Sequence, residues 1–364
     1  MTPIEDAEIG SVVVVGTGLI GTSVALALRQ RDVRVFLADR DAGAVRLARE
    51  LGAGEDWTGE QRVDLAVVAV PPQFVAQQLL DLQKRDSARF YTDVASVKAL
   101  PLAQAAQLGC DLTAYVAGHP LAGRERSGPA AARADLFLGR PWAYCPTDEA
   151  SPRAVAAVER LISLCGGNAV RVDAAEHDRA VAVVSHAPHV TAAAVAARLA
   201  EASETALGLS GQGVRDVTRI AASDPALWTG ILEGNALPVA EVLEALVDDL
   251  SAAARSLRAL AGDGAAMAQV TDLLSRGVRG TGRIPGKHGG PARTYAVVQV
   301  LIGDRPGELA RLVQAAGETG VNIEDIRLEH ATGLELGAAE LYVRPEAAEA
   351  LTRGLRERGW QMPG

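Results

Sequence analysis

Three glycines spaced Gly16-x-Gly18-x-x-Gly21 stand directly after the β-branched run 12–15 and directly before the apolar-periodic segment 22–31. In that context the pattern is a dinucleotide fingerprint rather than a chance glycine turn. Gly16 permits the tight turn, Gly18 lets the backbone approach a pyrophosphate, and Gly21 allows close helix packing. The amides of Leu19 and Ile20 at the helix start add positive potential for an anion. Asp39 follows at roughly the twenty-residue distance where a carboxylate binds a ribose 2′-hydroxyl and repels a 2′-phosphate, which favours NAD. Arg40 beside it could stack on adenine or rescue a 2′-phosphate. Downstream, His119-Pro120-Leu121-Ala122-Gly123-Arg124-Glu125-Arg126-Ser127-Gly128 lies where an enzyme with such a fingerprint would place its catalytic base. The bland alternative is a structural loop histidine before a proline.

Three further clusters stand out: Ala95-Ser96-Val97-Lys98, Ser185-His186-Ala187-Pro188-His189, and the run from Thr218-Arg219 to Trp228. Together with the HPLAG segment they resemble prephenate dehydrogenase, in the family's motif order, over roughly residues 10–280. The resemblance implies an oxidative decarboxylation. Hydride leaves C4 of prephenate for NAD+, the C4 hydroxyl becomes a carbonyl, and loss of CO2 aromatises the ring to 4-hydroxyphenylpyruvate. It makes His119 the base that takes the hydroxyl proton, a contribution of about 10²–10⁴ in rate. Ser96 becomes a partner hydroxyl bonded to both the histidine and the substrate oxygen, and Lys98 a holder of the loop or of the cofactor. Arg219 is the expected bidentate clamp on a substrate carboxylate. His186 and His189, three apart on one helix face, would line the same cleft, with Trp228 as a wall and donor. Glu125 and Asp216 would gate the entrance by ion pairing.

Other readings stay open at this point. His177, His186 and His189 could bind a metal with Asp178, although no cysteine or further carboxylate has convincing spacing and none is expected. Arg219 could pair with Asp224 in solvent, and Trp228 could be core. Gln212 stands where many relatives carry glycine. Arogenate dehydrogenases share every motif, and Glu125 near the substrate amine would favour arogenate. A relative acting on 4-amino-4-deoxyprephenate, and a non-catalytic sensor of NAD and an amino acid, are the remaining rivals.

The elements that must position these groups follow from periodicity. Strands at 12–15, 34–38, 63–70, 90–94 and 115–117 alternate with helices, which predicts an α/β fold with a parallel, doubly wound, Rossmann-type sheet over residues 1–173. Residues 174–276 read as an all-α substrate and dimerisation domain, whose helices are apolar around most of their circumference and predict a homodimer. Residues 277–293, with Arg283, Lys287 and His288, read as a Gly/Pro-rich linker or functional loop. Residues 294–364 predict strands at 295–302, 322–328 and 338–343, a helix opened by Pro306, a helix at 346–358 and a last strand at Trp360. That ferredoxin-like order, with the Asp304-Arg305-Pro306-Gly307 turn and Gly320-Val321-Asn322-Ile323, resembles an ACT domain. The resemblance implies an aromatic amino acid effector, tyrosine first, held near Asp304, Gly307, Asn322 and Ile323.

Composition bounds the rest. A chain of 364 residues, 48% hydrophobic and 22% charged, can bury a sizeable core in two or three domains. Its net charge of -9 opposes non-specific phosphate binding, so nucleic acid is not an expected partner. Three cysteines without a CxxC pair suit inert thiols in a reducing cytoplasm. The acidic start MTPIEDAEIG lacks the features of an export signal. Residues 180–197 carry no Asp, Glu, Lys or Arg, but Ser185, His186, Pro188 and His189 at their middle predict a helix buried in protein rather than in a membrane.

Overall fold

The computed structural model describes residues 8–123, 127–259, 267–285, 294–330 and 336–363, and divides into two compact units, residues 1–248 and 249–364. The first is built on eight strands: β1 (Ser11–Val15), β2 (Arg34–Ala38), β3 (Glu55–Asp56), β4 (Val63–Val68), β5 (Ala88–Asp93), β6 (Tyr115–Pro120), β7 (Pro141–Cys145) and β8 (Asn168–Arg171). Their order is β3-β2-β1-β4-β5-β6-β7-β8. Strands β1 to β6 pair in parallel, and the order reverses beside β1, where such sheets open a crevice at their carboxyl ends. Val12, Val14, Leu65 and Val67 enter the core on one face; Val13, Val15, Ala66 and Val68 enter it on the other. Helices cover both faces, so these strands read as unbroken apolar runs. Each fully buried leucine, such as Leu28, Leu65 or Leu79, contributes about 1.5–3 kcal/mol.

The sheet is not wholly parallel, which corrects the sequence expectation. Strand β7 runs antiparallel to β6, and β8 parallel to β7. The segment between β6 and β7 carries Gly123, Gly128, Pro129 and Gly139, and its described residues form only a short 3-10 turn, Pro129–Ala131, and irregular turns. Among the described residues no crossover helix returns the chain in the parallel sense.

From the end of β8 to Ala259 the chain is helical. Asp173 caps Ala174–Val181 by accepting from the amides of Ala175 and Glu176. A π-helical turn, Ala182–His186, joins that helix to Ala187–Leu199. The continuous stretch Ala174–Leu199 is long and apolar enough to cross a membrane by length and composition, and a third of its apolar window is buried within the chain. Glu204–Gly208, Gln212–Thr218, Pro225–Gly234 and Ala236–Ala259 follow. These helices leave Val184, Leu209 and Leu237 exposed at 68%, 81% and 79%.

In the second unit, Met267–Thr281 pairs with the end of Ala236–Ala259, with Arg276 bridging Asp249 and Asp272. That helix runs through Gly277 and Gly280, because helix propensity is a weak prior that packing overrides. Lys287 and His288 lie outside the described residues. Strands β9 (Ala296–Gly303), β10 (Asp325–His330) and β11 (Leu336–Val343) form an antiparallel sheet ordered β10-β11-β9, backed by helices Glu308–Glu318 and Ala348–Glu357. The expected last strand is a single bridge, Leu301 to Gln361. The first helix starts after Pro306, since Gly307 at φ 91° forms its N-cap.

Candidate active site

The glycine loop leaves the end of β1 in a conformation that only glycine allows. Gly16 has φ 105°, and a Cβ there would lie 2.2 Å from the Ala69 carbonyl; at Gly21 it would lie 1.9 Å from the Gly16 carbonyl. At Gly18 a Cβ would meet nothing within 4 Å. Gly16 and Gly21 are therefore demanded by the protein's own packing, whereas Gly18 borders open space. The helix Leu19–Arg29 has no side-chain cap, so the amides at Leu19 and Ile20 remain available to an anion. Asp39, at the end of β2, accepts from the Thr17 amide at 2.6 Å, the Thr17 hydroxyl at 3.0 Å and the Asp41 amide at 3.0 Å. It thus braces the loop, and Arg40 beside it is exposed.

His119 lies one residue from the end of β6, on the same carboxyl edge of the sheet. Beneath it lies a fully buried network at the end of β5. Asp93 pairs with Lys98 and accepts from the Tyr115 hydroxyl at 2.6 Å and the Ala95 amide at 2.8 Å. The Lys98 ammonium also donates to the Gly118 carbonyl at 2.6 Å. Lys98 therefore clamps the strand end next to His119, and its charge is spent on Asp93. Burial lifts the Tyr115 phenol well above its ordinary value, with the Asp93 charge adding to the effect, so it stays a donor.

A second layer comes from the helical segment. Asp178 accepts from the amides of Lys98 and Ala99, both at 2.9 Å, and meets His177 Nδ1 at 2.8 Å. His177 Nε2 in turn lies 2.9 Å from His119 Nδ1, the rings meeting edge to face. Asn235 donates to the Asp178 carbonyl at 2.7 Å and lies 3.1 Å from His186 Nδ1. His186 meets the edge of Trp228, and His189 stacks flat on Trp228 with ring centroids 3.5 Å apart.

Burial pushes the His119 imidazole well below its usual value, and any positive charge on His177, Lys98 or His186 would push the same way. His186 is lowered to about 4, chiefly by burial, with Asp178 opposing the shift. Burial also lowers His189. All three rings are neutral near pH 7, so they offer lone pairs and donors but no cationic charge.

The structure thus brings together His119, His186, His189 and Trp228, with Ser96 half-buried in the loop leading to Lys98. The expected bond from Ser96 to His119 is not formed; Nδ1 of the ring is taken by His177. Arg219 is exposed at the start of the 3-10 turn Arg219–Ala222, which packs on Ala187–Leu199. Asp224 caps the helix carrying Trp228 by accepting from the Ala226 amide, and Asp216 accepts from Gln212. Glu125 lies outside the described residues. Among the described residues no group of three or more His, Cys, Asp or Glu is arranged to hold a metal. Cys110, Cys145 and Cys165 are buried and unpaired, and burial pushes the last two up to about 12, so they are protonated and inert.

Sequence reasoning weighed His177 and Asp178 only as metal ligands, and did not find Asn235 or the Asp93–Tyr115 pair. The available signal for one of them was Asp93, a carboxylate ending the strand Ala88–Asp93, since a buried charge is costly unless it is paired.

Family models for "Prephenate dehydrogenase, nucleotide-binding domain" and "Prephenate dehydrogenase, dimerization domain" match residues 24–171 and 173–270. The chain belongs to the prephenate dehydrogenase family. A Streptomyces niveus relative, "Probable prephenate dehydrogenase NovF", is 42% identical over 96% of this chain and 98% of its own. The Bacillus subtilis prephenate dehydrogenase is 31% identical over 62% of this chain and 64% of its own. Among solved structures, the prephenate dehydrogenase of Aquifex aeolicus with hydroxyphenyl propionate and NAD+ is similar at TM-score 0.66 and 26% identity, covering 75% of this chain and 98% of that one. A Synechocystis arogenate dehydrogenase is similar at TM-score 0.60 and 25% identity, covering 74% and 99%.

Proposed function

We propose that this member of the prephenate dehydrogenase family catalyses the NAD-dependent oxidative decarboxylation of prephenate to 4-hydroxyphenylpyruvate, a step toward tyrosine. The observation that carries the reading is the neutral imidazole of His119 on the sheet edge that also carries the glycine loop. The Gly16–Gly21 loop and the amides of Leu19 and Ile20 would hold the pyrophosphate. Asp39 would hold the ribose, each carboxylate oxygen having a second lone-pair site to offer. NAD+ bound there supplies the hydride acceptor.

His119 takes the proton from the C4 hydroxyl as the C–H bond breaks, and Ser96 orients that oxygen. Arg219 clamps one substrate carboxylate, because the neighbouring histidines are neutral and cannot balance its charge. Trp228, held flat by His189, forms the apolar wall against the ring. Loss of CO2 then leaves its electron pair in the aromatised ring as a phenolate at the C4 oxygen, and the proton held by His119 returns there to give the phenol.

The test is NADH formation with prephenate and, separately, arogenate, comparing wild type with His119→Ala. Turnover of prephenate, lost in the variant by about 10²-fold or more, is the expected result. Turnover of arogenate alone would keep the mechanism and change the substrate. Cofactor binding without turnover of either would leave the sensor or 4-amino-4-deoxyprephenate readings.

The β10-β11-β9 sheet with its two helices is read as an ACT module, supported by its element order and by the Leu301–Gln361 bridge where a fourth strand would lie. Asp304 and Gly307 at the start of Glu308–Glu318, with Asn322 and Ile323 after the next turn, are the proposed contacts for tyrosine. A cytoplasmic homodimer is proposed from the exposed apolar side chains of the helical segment.

A further inference from the structure

We infer that His177 and Asp178 form a positioning relay that fixes which nitrogen of His119 acts as the base. The inference rests on His119 being the base, and it adds two residues that do not themselves need to reach substrate.

The argument is a donor count. Both oxygens of the Asp178 carboxylate accept backbone amides, from Lys98 and from Ala99, and Oδ1 also meets His177 Nδ1. A carboxylate in that role only accepts, so Nδ1 of His177 carries the hydrogen. In a neutral imidazole the other nitrogen is then bare, and His177 Nε2 is the acceptor that faces His119 Nδ1 at 2.9 Å. His119 must donate from Nδ1, which leaves the lone pair on Nε2. When Nε2 takes the substrate proton, the new positive charge is shared through Nδ1–H with His177 and, through His177, with Asp178.

The placement is built rather than incidental. His177 and Asp178 are 3% exposed, and Asn235 holds the Asp178 backbone carbonyl at 2.7 Å. The groups around His119 come from three elements: Lys98 with Asp93 from the end of β5 and its loop, His177 and Asp178 from Ala174–Val181, and His186 from the π-helical turn. Of these, His177 is the one hydrogen-bonded to the His119 ring. An imidazole left free to choose its tautomer would place its lone pair wrongly in part of the population, an effect that removes several orders of magnitude from rate where a carboxylate fixes a catalytic histidine in hydrolases.

The experiment compares wild type, His177→Gln, His177→Leu and His119→Ala in prephenate turnover, and reads the tautomer by nitrogen NMR of histidine-labelled enzyme, with His119→Ala assigning the signal. Wild type is expected to show hydrogen on Nδ1 of His119. His177→Leu, which removes the acceptor, is expected to lose roughly 10²-fold in kcat/KM with a mixed tautomer and unchanged NAD+ affinity. His177→Gln, which keeps an acceptor at the same reach, is expected to recover part of the rate and the Nδ1–H tautomer. Equal rates for Gln and Leu, wild-type rate in Leu, or Nε2–H in the wild-type enzyme would each overturn the relay. Undiminished turnover in His119→Ala would instead remove the base assignment, whatever tautomer the ring shows.

Discussion

At the scale of single residues, protonation state decides what each group can do. Because His119 is held below its usual value of 6.5, it is unprotonated across the neutral range. The acid limb of kcat/KM is therefore expected below pH 6.5, with a flat profile above it, in a pH series with prephenate. Arg219 is argued to bind rather than to transfer protons, so Arg219→Ala is expected to raise KM far more than it lowers kcat. A loss of about 2–5 kcal/mol corresponds to roughly 30-fold or more in KM. His186 gives a stability prediction. Its folded value of about 4 lies below the 6.5 of the unfolded chain, so between those values the unfolded state binds more protons. Stability is then undiminished above pH 6.5 and falls as pH drops toward 4, by up to about 3 kcal/mol. Urea titrations at pH 7 and pH 4.5 should show that loss in wild type and a smaller one in His186→Gln.

At the scale of elements, the glycine loop separates packing from binding. Gly21→Ala would drive a Cβ into the Gly16 carbonyl, so it is expected to lower both melting temperature and NAD+ affinity, by about 1–3 kcal/mol in stability. Gly18→Ala meets nothing within the protein, so its melting temperature should stay near wild type while NAD+ affinity falls. Calorimetry on the two variants checks the contrast. These elements were legible in sequence because each signal is local: the β-branched run of β1, the glycine spacing and the carboxylate ending β2. Strands β7 and β8 were not, because Pro141–Cys145 has no β-branched residue, Asn168–Arg171 is exposed throughout, and their pairing depends on β6 being in place.

At the scale of the whole molecule, the exposed Val184, Leu209 and Leu237 predict self-association, with a dimer mass expected by light scattering and Leu237→Glu shifting it toward monomer. Tyrosine should lower the dehydrogenase rate if the C-terminal module is an effector site, which titration under steady-state turnover checks. The sequence by itself determined the Rossmann-type sheet and the glycine loop, and it singled out His119, His186, His189 and Trp228, which the structure places near one another. Those follow from short-range periodicity and from motifs whose residues lie within a few positions of one another. Only the tertiary structure decided that His177 Nε2, rather than the Ser96 hydroxyl, meets His119 Nδ1, and that Lys98 is neutralised by Asp93. It also turned Asp178 from a possible metal ligand into the acceptor for the Lys98 and Ala99 amides. His119 and His177 are 58 residues apart in the chain, and Asp178 is 80 and 79 from Lys98 and Ala99; a hydrogen bond is specified by ångström-scale placement that spacing along the sequence does not encode.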